Sequence, residues 1–209
     1  MYDLEEQEQI DALKAWWKEH GRVVIAALVA ACLAAGGTAG WRWYQRSQAE
    51  QASQIYSSLE KAVNANDLKQ VRELSRQLTE QYGSSAYGPM AALVAAKAQY
   101  EAGDASGAQS ALQWAVDHAR DEDLEATGRL RLAGILLDQK KYDDALKVLE
   151  AKHPESFDGL FADLTGDIQA AQGKPAAARA AYQRALEKLP GGGYRDIVQV
   201  KLDSLGGSP

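Results

Sequence analysis

A single cysteine, Cys32, rules out an intrachain disulfide, so the fold needs no oxidising compartment, although it can live in one. Five prolines in 209 residues leave long stretches without a helix breaker, and abundant alanine predicts helix almost throughout. An excess of positive charge is also missing. The net charge of −6 divides as −3 over residues 1–22 and −3 over residues 42–209, so neither part is built to hold a polyanion and nucleic acid is excluded as a partner class.

Groups that could converge on a reaction are few. The three histidines, His20, His118 and His153, are scattered, and none has a second His or Cys at metal-ligand spacing. The run Gly191 to Gly193 lacks the Lys and Ser/Thr of a phosphate loop and follows a helical pattern, which makes it a terminator. Asp121, Glu122, Asp123 and Glu125 lack a calcium-loop pattern and fit a solvated turn or helix start. The expectation is therefore no catalytic, cofactor or metal site, and no enzyme.

Long apolar runs are scarce as well, and the one present is informative. Val23 to Trp41 carries no charge and as a helix covers about 28 Å, close to the hydrocarbon thickness of a bilayer. Trp16 and Trp17 precede it, Trp41, Trp43 and Tyr44 close it, and Lys18, Arg22, Arg42 and Arg46 bracket it, as membrane interfaces favour. A cleaved signal fits poorly, because the 22 residues before the run hold six acids against three bases. Val29, Ala30, Ala31 and Cys32 resemble a lipoprotein lipobox. The apolar stretch continues past Cys32, which favours an uncleaved anchor with the cysteine as a small apolar residue.

Lys14, Lys18 and Arg22 on one side against Arg42 and Arg46 on the other place the N-terminus in the cytoplasm. The expected organisation is a cytoplasmic segment 1–22, a transmembrane helix 23–44, and a repeat domain 45–209 beyond the membrane. The stretch Leu4 to Glu19 is either a helix lying on the bilayer through Ile10, Leu13 and Trp17, or a disordered acidic tail. Within the span, Cys32, Gly36 and Gly40 share one helical face, and the Gly36–Gly40 pair is the spacing at which membrane helices pack closely.

Behind the anchor the chain repeats itself. Asp163 to Pro190 places Gly166, Gly173, Ala178, Tyr182, Ala185 and Pro190 at the spacing of a tetratricopeptide repeat, which it resembles. Gly166 and Ala178 are small where two antiparallel helices approach, Gly173 permits the turn, and Pro190 ends the second helix. Weaker copies run through Ala96, Gly103, Ala108, Leu112 and Ala115, and through Leu132, Ala133, Tyr142, Ala145 and Leu149, with a degenerate first copy at Leu59, Val71, Ser75 and Leu78. Val71, Ala108, Ala145 and Ala178 stand at steps of 37, 37 and 33 residues. After Pro190, the residues Tyr194, Ile197, Val198, Lys201, Leu202 and Leu205 include one apolar face suited to capping the stack. The predicted fold class is all-α: one N-terminal transmembrane helix followed by a tetratricopeptide-like α-solenoid.

A solenoid offers a concave surface made by the first helix of each pair. The repeat frame places Lys97, Tyr100, Glu101, Leu130, Asp138, Asp163 and Asp167 near it, a mixture of charge with an aromatic that suits a protein or peptide ligand.

The order of leader, anchor and repeats, with the segments DALKAWWKEHG, GWRWY, LRLAGILLDQKKYDDALKVLE and FADLTGDIQAAQGK, resembles the YfgM-type ancillary subunits of the bacterial SecYEG translocon over essentially the full length. That resemblance implies a non-enzymatic, single-pass protein of the Gram-negative inner membrane with its repeat domain in the periplasm. It also implies association with the SecYEG channel and a PpiD-type periplasmic chaperone, and help for newly translocated client proteins. A membrane-anchored repeat scaffold for cell-division or envelope-complex assembly is the alternative.

Overall fold

The computed structural model describes residues 2–206, and of residues 2–8, 11, 12 and 39 the backbone only. The chain forms two compact units, Met1–Gln48 and Ala49–Pro209. Among the described residues every regular element is helical.

The described residues of the first unit lie within helix α1, Tyr2–Asn64. It contains a stretch long and apolar enough to cross a bilayer, with none of that stretch buried. Val23, Ile25, Leu28, Val29 and Leu33 are all exposed, so the run is not the core helix of a water-soluble domain. The leader is helical from Tyr2, and Ile10, Leu13, Trp16 and Trp17 are exposed along it.

The second unit is a stack of helix pairs. The last part of α1 pairs with α2, Leu68–Tyr82, followed by α3, Tyr87–Glu101, with α4, Ala105–His118. Next come α5, Glu122–Asp138, with α6, Tyr142–Leu149, and α7, Asp158–Ala171, with α8, Pro175–Lys188; α9, Gly193–Ser204, closes the stack. A short 3-10 turn, Glu155–Phe157, leads into α7.

The repeat is written into the backbone. Each pair turns on one residue of positive φ: Asn66 at 53°, Gly103 at 84°, Lys140 at 60° and Gly173 at 72°. In each turn two amides fold back onto the first helix, as with Gly103 N to the Tyr100 carbonyl at 2.9 Å and Asp104 N to the Gln99 carbonyl at 2.8 Å. Those bonds occupy carbonyls that the helix end would leave unpaired. The degenerate first copy is thus a full pair, because Asn66 tolerates the left-handed region and Asp67 caps α2 by accepting from the Gln70 amide at 3.0 Å. The acidic cluster at Asp121 is a helix start: its carboxylate accepts from the Leu124 amide at 2.9 Å, and Glu122, Asp123 and Glu125 sit in the first turn, where the helix dipole favours them.

Small residues set the spacing between helices. Ala96, Ala108, Ala133, Ala145 and Ala178 are buried to 2% exposure or less. A Cβ on Gly166 would overlap the Tyr182 ring, so glycine is what lets α8 lie against α7. Leu59, Leu78, Leu112, Leu132 and Ile168 fill the interior between pairs.

Val198, Leu202 and Leu205 pack α9 against the last pair. Ile197, which the spacing grouped with them, instead points to solvent with Val200, because at 100° per residue it falls off the 198–202–205 stripe.

Candidate functional site

Helices α3 and α5 are the first helices of adjacent pairs, and between them lies a cavity of about 390 Å³ lined by Ala96, Lys97, Tyr100, Leu112, Arg131, Gly134, Ile135 and Asp138. Most of the lining is apolar. Two hydrogen bonds cross it from one helix to the other. Arg131 Nη1 donates to the Leu93 carbonyl at 3.3 Å, and the Tyr100 hydroxyl donates to Asp138 Oδ2. The bond to Asp138 holds the Tyr100 phenol above its ordinary value, with a smaller push from burial.

Charge in this groove is unevenly matched. Asp138 accepts from the Tyr100 hydroxyl, a neutral group that leaves its charge in place, and Lys97 lies 3.7 Å from the solvent-exposed Glu101. Arg131 makes no ion pair with any described carboxylate. The lining carries two cations, Lys97 and Arg131, against one carboxylate, Asp138, with Glu101 at its border.

Of the residues the repeat frame groups, Lys97, Tyr100 and Asp138 line this one cavity. Glu101 borders the groove through Lys97 and also lines a second, smaller cavity with Val63 and Leu68. Leu130 packs half-buried against the central core and does not line the groove. Asp163 and Asp167 depart from the expectation altogether.

Asp163 is 2% exposed and belongs to a polar knot between α7 and α9. Lys201 Nζ lies 2.9 Å from both oxygens of Asp163 and 2.8 Å from Asp167 Oδ2; the Tyr194 hydroxyl donates to Asp163 at 2.7 Å, and Tyr182 to Asp167 at 2.8 Å. Burial is the largest influence on Lys201 and works against its charge, yet the bonds to Asp167 and Asp163 outweigh it and hold the ammonium above its ordinary value. Burial, then the carboxylate bonds, also push both phenols upward. These acids lie where a next repeat would leave groove, but α9 occupies the place.

Sequence reasoning missed Arg131, Gly134, Ile135, Ala96 and Leu112. A signal for Gly134 existed, since the 37-residue step that relates Ala108 to Ala145 carries Lys97 onto it. Arg131 had none, because its reach to the Leu93 carbonyl depends on how the two pairs dock.

The histidines serve packing. His20 stacks on Trp16 and His118 on Trp114, each one turn away, and His153 stacks on Phe161 with Nε2 3.4 Å from Asp158. On α1, Cys32 is exposed and neither Gly36 nor Gly40 has a neighbour within 4 Å of a Cβ position. That face of the helix is bare.

Residues 14–207 match the family described as tetratricopeptide repeat-like domain. The chain is 35% identical to the ancillary SecYEG translocon subunit of Haemophilus influenzae, over 89% of this chain and 91% of that protein. The Neisseria gonorrhoeae protein of the same name is 35% identical over 97% and 98%, and that of Escherichia coli 27% identical over 96% of each. Among solved structures, MamA from Desulfovibrio magneticus RS-1, residues 41 to the end, superposes with a TM-score of 0.54 at 16% identity, covering 74% of this chain and 88% of MamA, a likeness of fold.

Proposed function

The chain belongs to the tetratricopeptide repeat-like family of ancillary SecYEG translocon subunits, and from that premise we propose that it is a non-enzymatic, single-pass subunit working at the translocon of the bacterial inner membrane. Residues 1–22 lie in the cytoplasm, 23–44 cross the bilayer and 45–209 stand in the periplasm. The Lys/Arg bias across the span supports this orientation.

The observation that carries the reading is end-to-end relatedness to proteins of that name, in a chain whose apolar helix and repeat unit are both accounted for. The anchor tethers the repeat unit to the membrane. Tethering raises the local concentration of groove relative to polypeptide emerging there. The groove receives translocated client proteins or a PpiD-type periplasmic chaperone, and the Cys32, Gly36 and Gly40 face packs on a membrane helix of the translocon or chaperone. Removal of side-chain bulk favours such packing, since bilayer helices associate through close contact.

A photo-crosslinking residue at Gly36, in the full chain in native membranes, tests this. Adducts with translocon subunits or a membrane-anchored chaperone are expected, and Gly36→Leu with Gly40→Leu should reduce co-purification of those partners. Adducts confined to division or envelope-assembly proteins would overturn it.

A further inference from the structure

Glycine inside a helix lowers stability by about 1 kcal/mol relative to alanine, so each one calls for a reason. Gly88, Gly107, Gly128, Gly159 and Gly166 have a steric reason: a Cβ on any of them would come to 3.0 Å or closer to a neighbouring atom. Gly134 has none. A Cβ there meets nothing within 4 Å, although the residue lies inside α5, one turn before its end, and is half-buried. At the equivalent position the other pairs carry Glu60, Lys97 and Asp167, each with a charged side chain.

What glycine leaves at this point is space, and the surroundings define its shape. Ala96, Leu112 and Ile135 supply apolar walls. The Arg131 bond to the Leu93 carbonyl and the Tyr100 bond to Asp138 bridge α3 and α5 one turn to either side of Gly134. The lining sets two cations, Arg131 and Lys97, against the single carboxylate of Asp138; Arg131 makes no ion pair with a described carboxylate, and Lys97 lies 3.7 Å from the exposed Glu101 at the border.

The geometry points to Gly134 as the floor of a side-chain acceptor notch that takes a bulky apolar residue of an extended polypeptide with a carboxylate beside it. The proposal rests on the reading of the groove as a polypeptide-binding surface and names what that surface selects. Apolar burial over the bare α5 backbone supplies affinity, and the cationic pair of Arg131 and Lys97 supplies the preference for an acidic neighbour. Glycine then persists at a cost to the helix because any side chain would fill the notch.

The test uses the full chain in lipid nanodiscs and three labelled peptides of about ten residues, a Gly/Ser host carrying the guest pair Phe-Asp, Ala-Asp or Phe-Lys. Phe-Asp should bind about tenfold more tightly than Ala-Asp by fluorescence anisotropy, and more tightly than Phe-Lys. Gly134→Leu should erase the Phe-over-Ala difference, and Gly134→Ala should narrow it without lowering the melting temperature. Arg131→Gln should narrow the Asp-over-Lys difference. Equal binding of the three peptides, no binding, or a Phe preference that survives Gly134→Leu would overturn the notch. A photo-crosslinker at Lys97 in native membranes separates the two readings: adducts there leave the groove standing when the notch fails, and their absence removes the groove itself.

Discussion

The same position in the repeat has opposite fates in two adjacent pairs of the solenoid. Gly134 and Asp167 are equivalent in the helical frame, yet one floors an open groove and the other is locked beneath a capping helix. The frame decides which residues face the concave side. The next helix decides whether that side is surface or interior. Where α5 follows α3 the neighbour leaves a space edged by two hydrogen bonds, and where α9 follows α7 a lysine enters between two aspartates.

The largest effect is expected from opening the closed end. Lys201→Met leaves the carboxylate of Asp163, 2% exposed, without its cation, and is expected to cost about 2 to 3 kcal/mol, below the full value for a buried pair because the Lys201 side chain keeps 30% of its surface in solvent. Hydrogen exchange should show α9 losing protection while α3 keeps it; uniform loss would mean that the knot is not local. Gly166→Ala drives a methyl into the Tyr182 ring and should cost about 2 kcal/mol in thermal unfolding of the full chain. An unchanged midpoint would show that the ring has room to move.

Alkaline pH should loosen the same end. Tyr182, Tyr194 and Lys201 are all held protonated more firmly in the fold than in an unfolded chain. The folded state therefore binds more protons above about pH 10, and stability falls as pH rises through that range, by about 1.4 kcal/mol per pH unit for each proton involved. The contribution of Lys201 is complete below its ordinary pKa and is lost above its raised one. Denaturation midpoints of Tyr194→Phe should fall less steeply with pH than those of the parent chain, and a parallel fall would contradict the assignment. The smallest effect has the opposite sign. Gly134→Ala should raise stability by about 1 kcal/mol, since its methyl enters open space in a helix interior, whereas a loss would mean that α5 needs glycine for packing.

Much of this fold could be read from the chain. The apolar run, the turn glycines Gly103 and Gly173, and the small residues Ala108, Ala145 and Ala178 are local signals whose physics does not depend on distant neighbours. The first pair was faint because Asn66 and Asp67 perform the turn and cap that glycine and aspartate perform in the second. The groove was legible only in part. Lys97, Tyr100 and Asp138 follow from the frame, while Asp163 and Asp167 were misread because Lys201 of α9 reaches them from 38 and 34 residues away. Arg131 and Gly134 acquire meaning only once α3 and α5 stand side by side, one through a reach across the gap and the other through what it leaves empty.

Polypeptide is expected to meet this protein at the open groove and not at the capped end. A photo-crosslinking residue placed in turn at Lys97 on α3 and at the exposed Gln199 on α9, in the full chain in membranes engaged in protein export, tests it most directly. Adducts with translocated polypeptide or a periplasmic chaperone from Lys97, depleted by Gly134→Leu and weak from Gln199, are the expected result. Equal adducts from both positions, or from Gln199 alone, would contradict it.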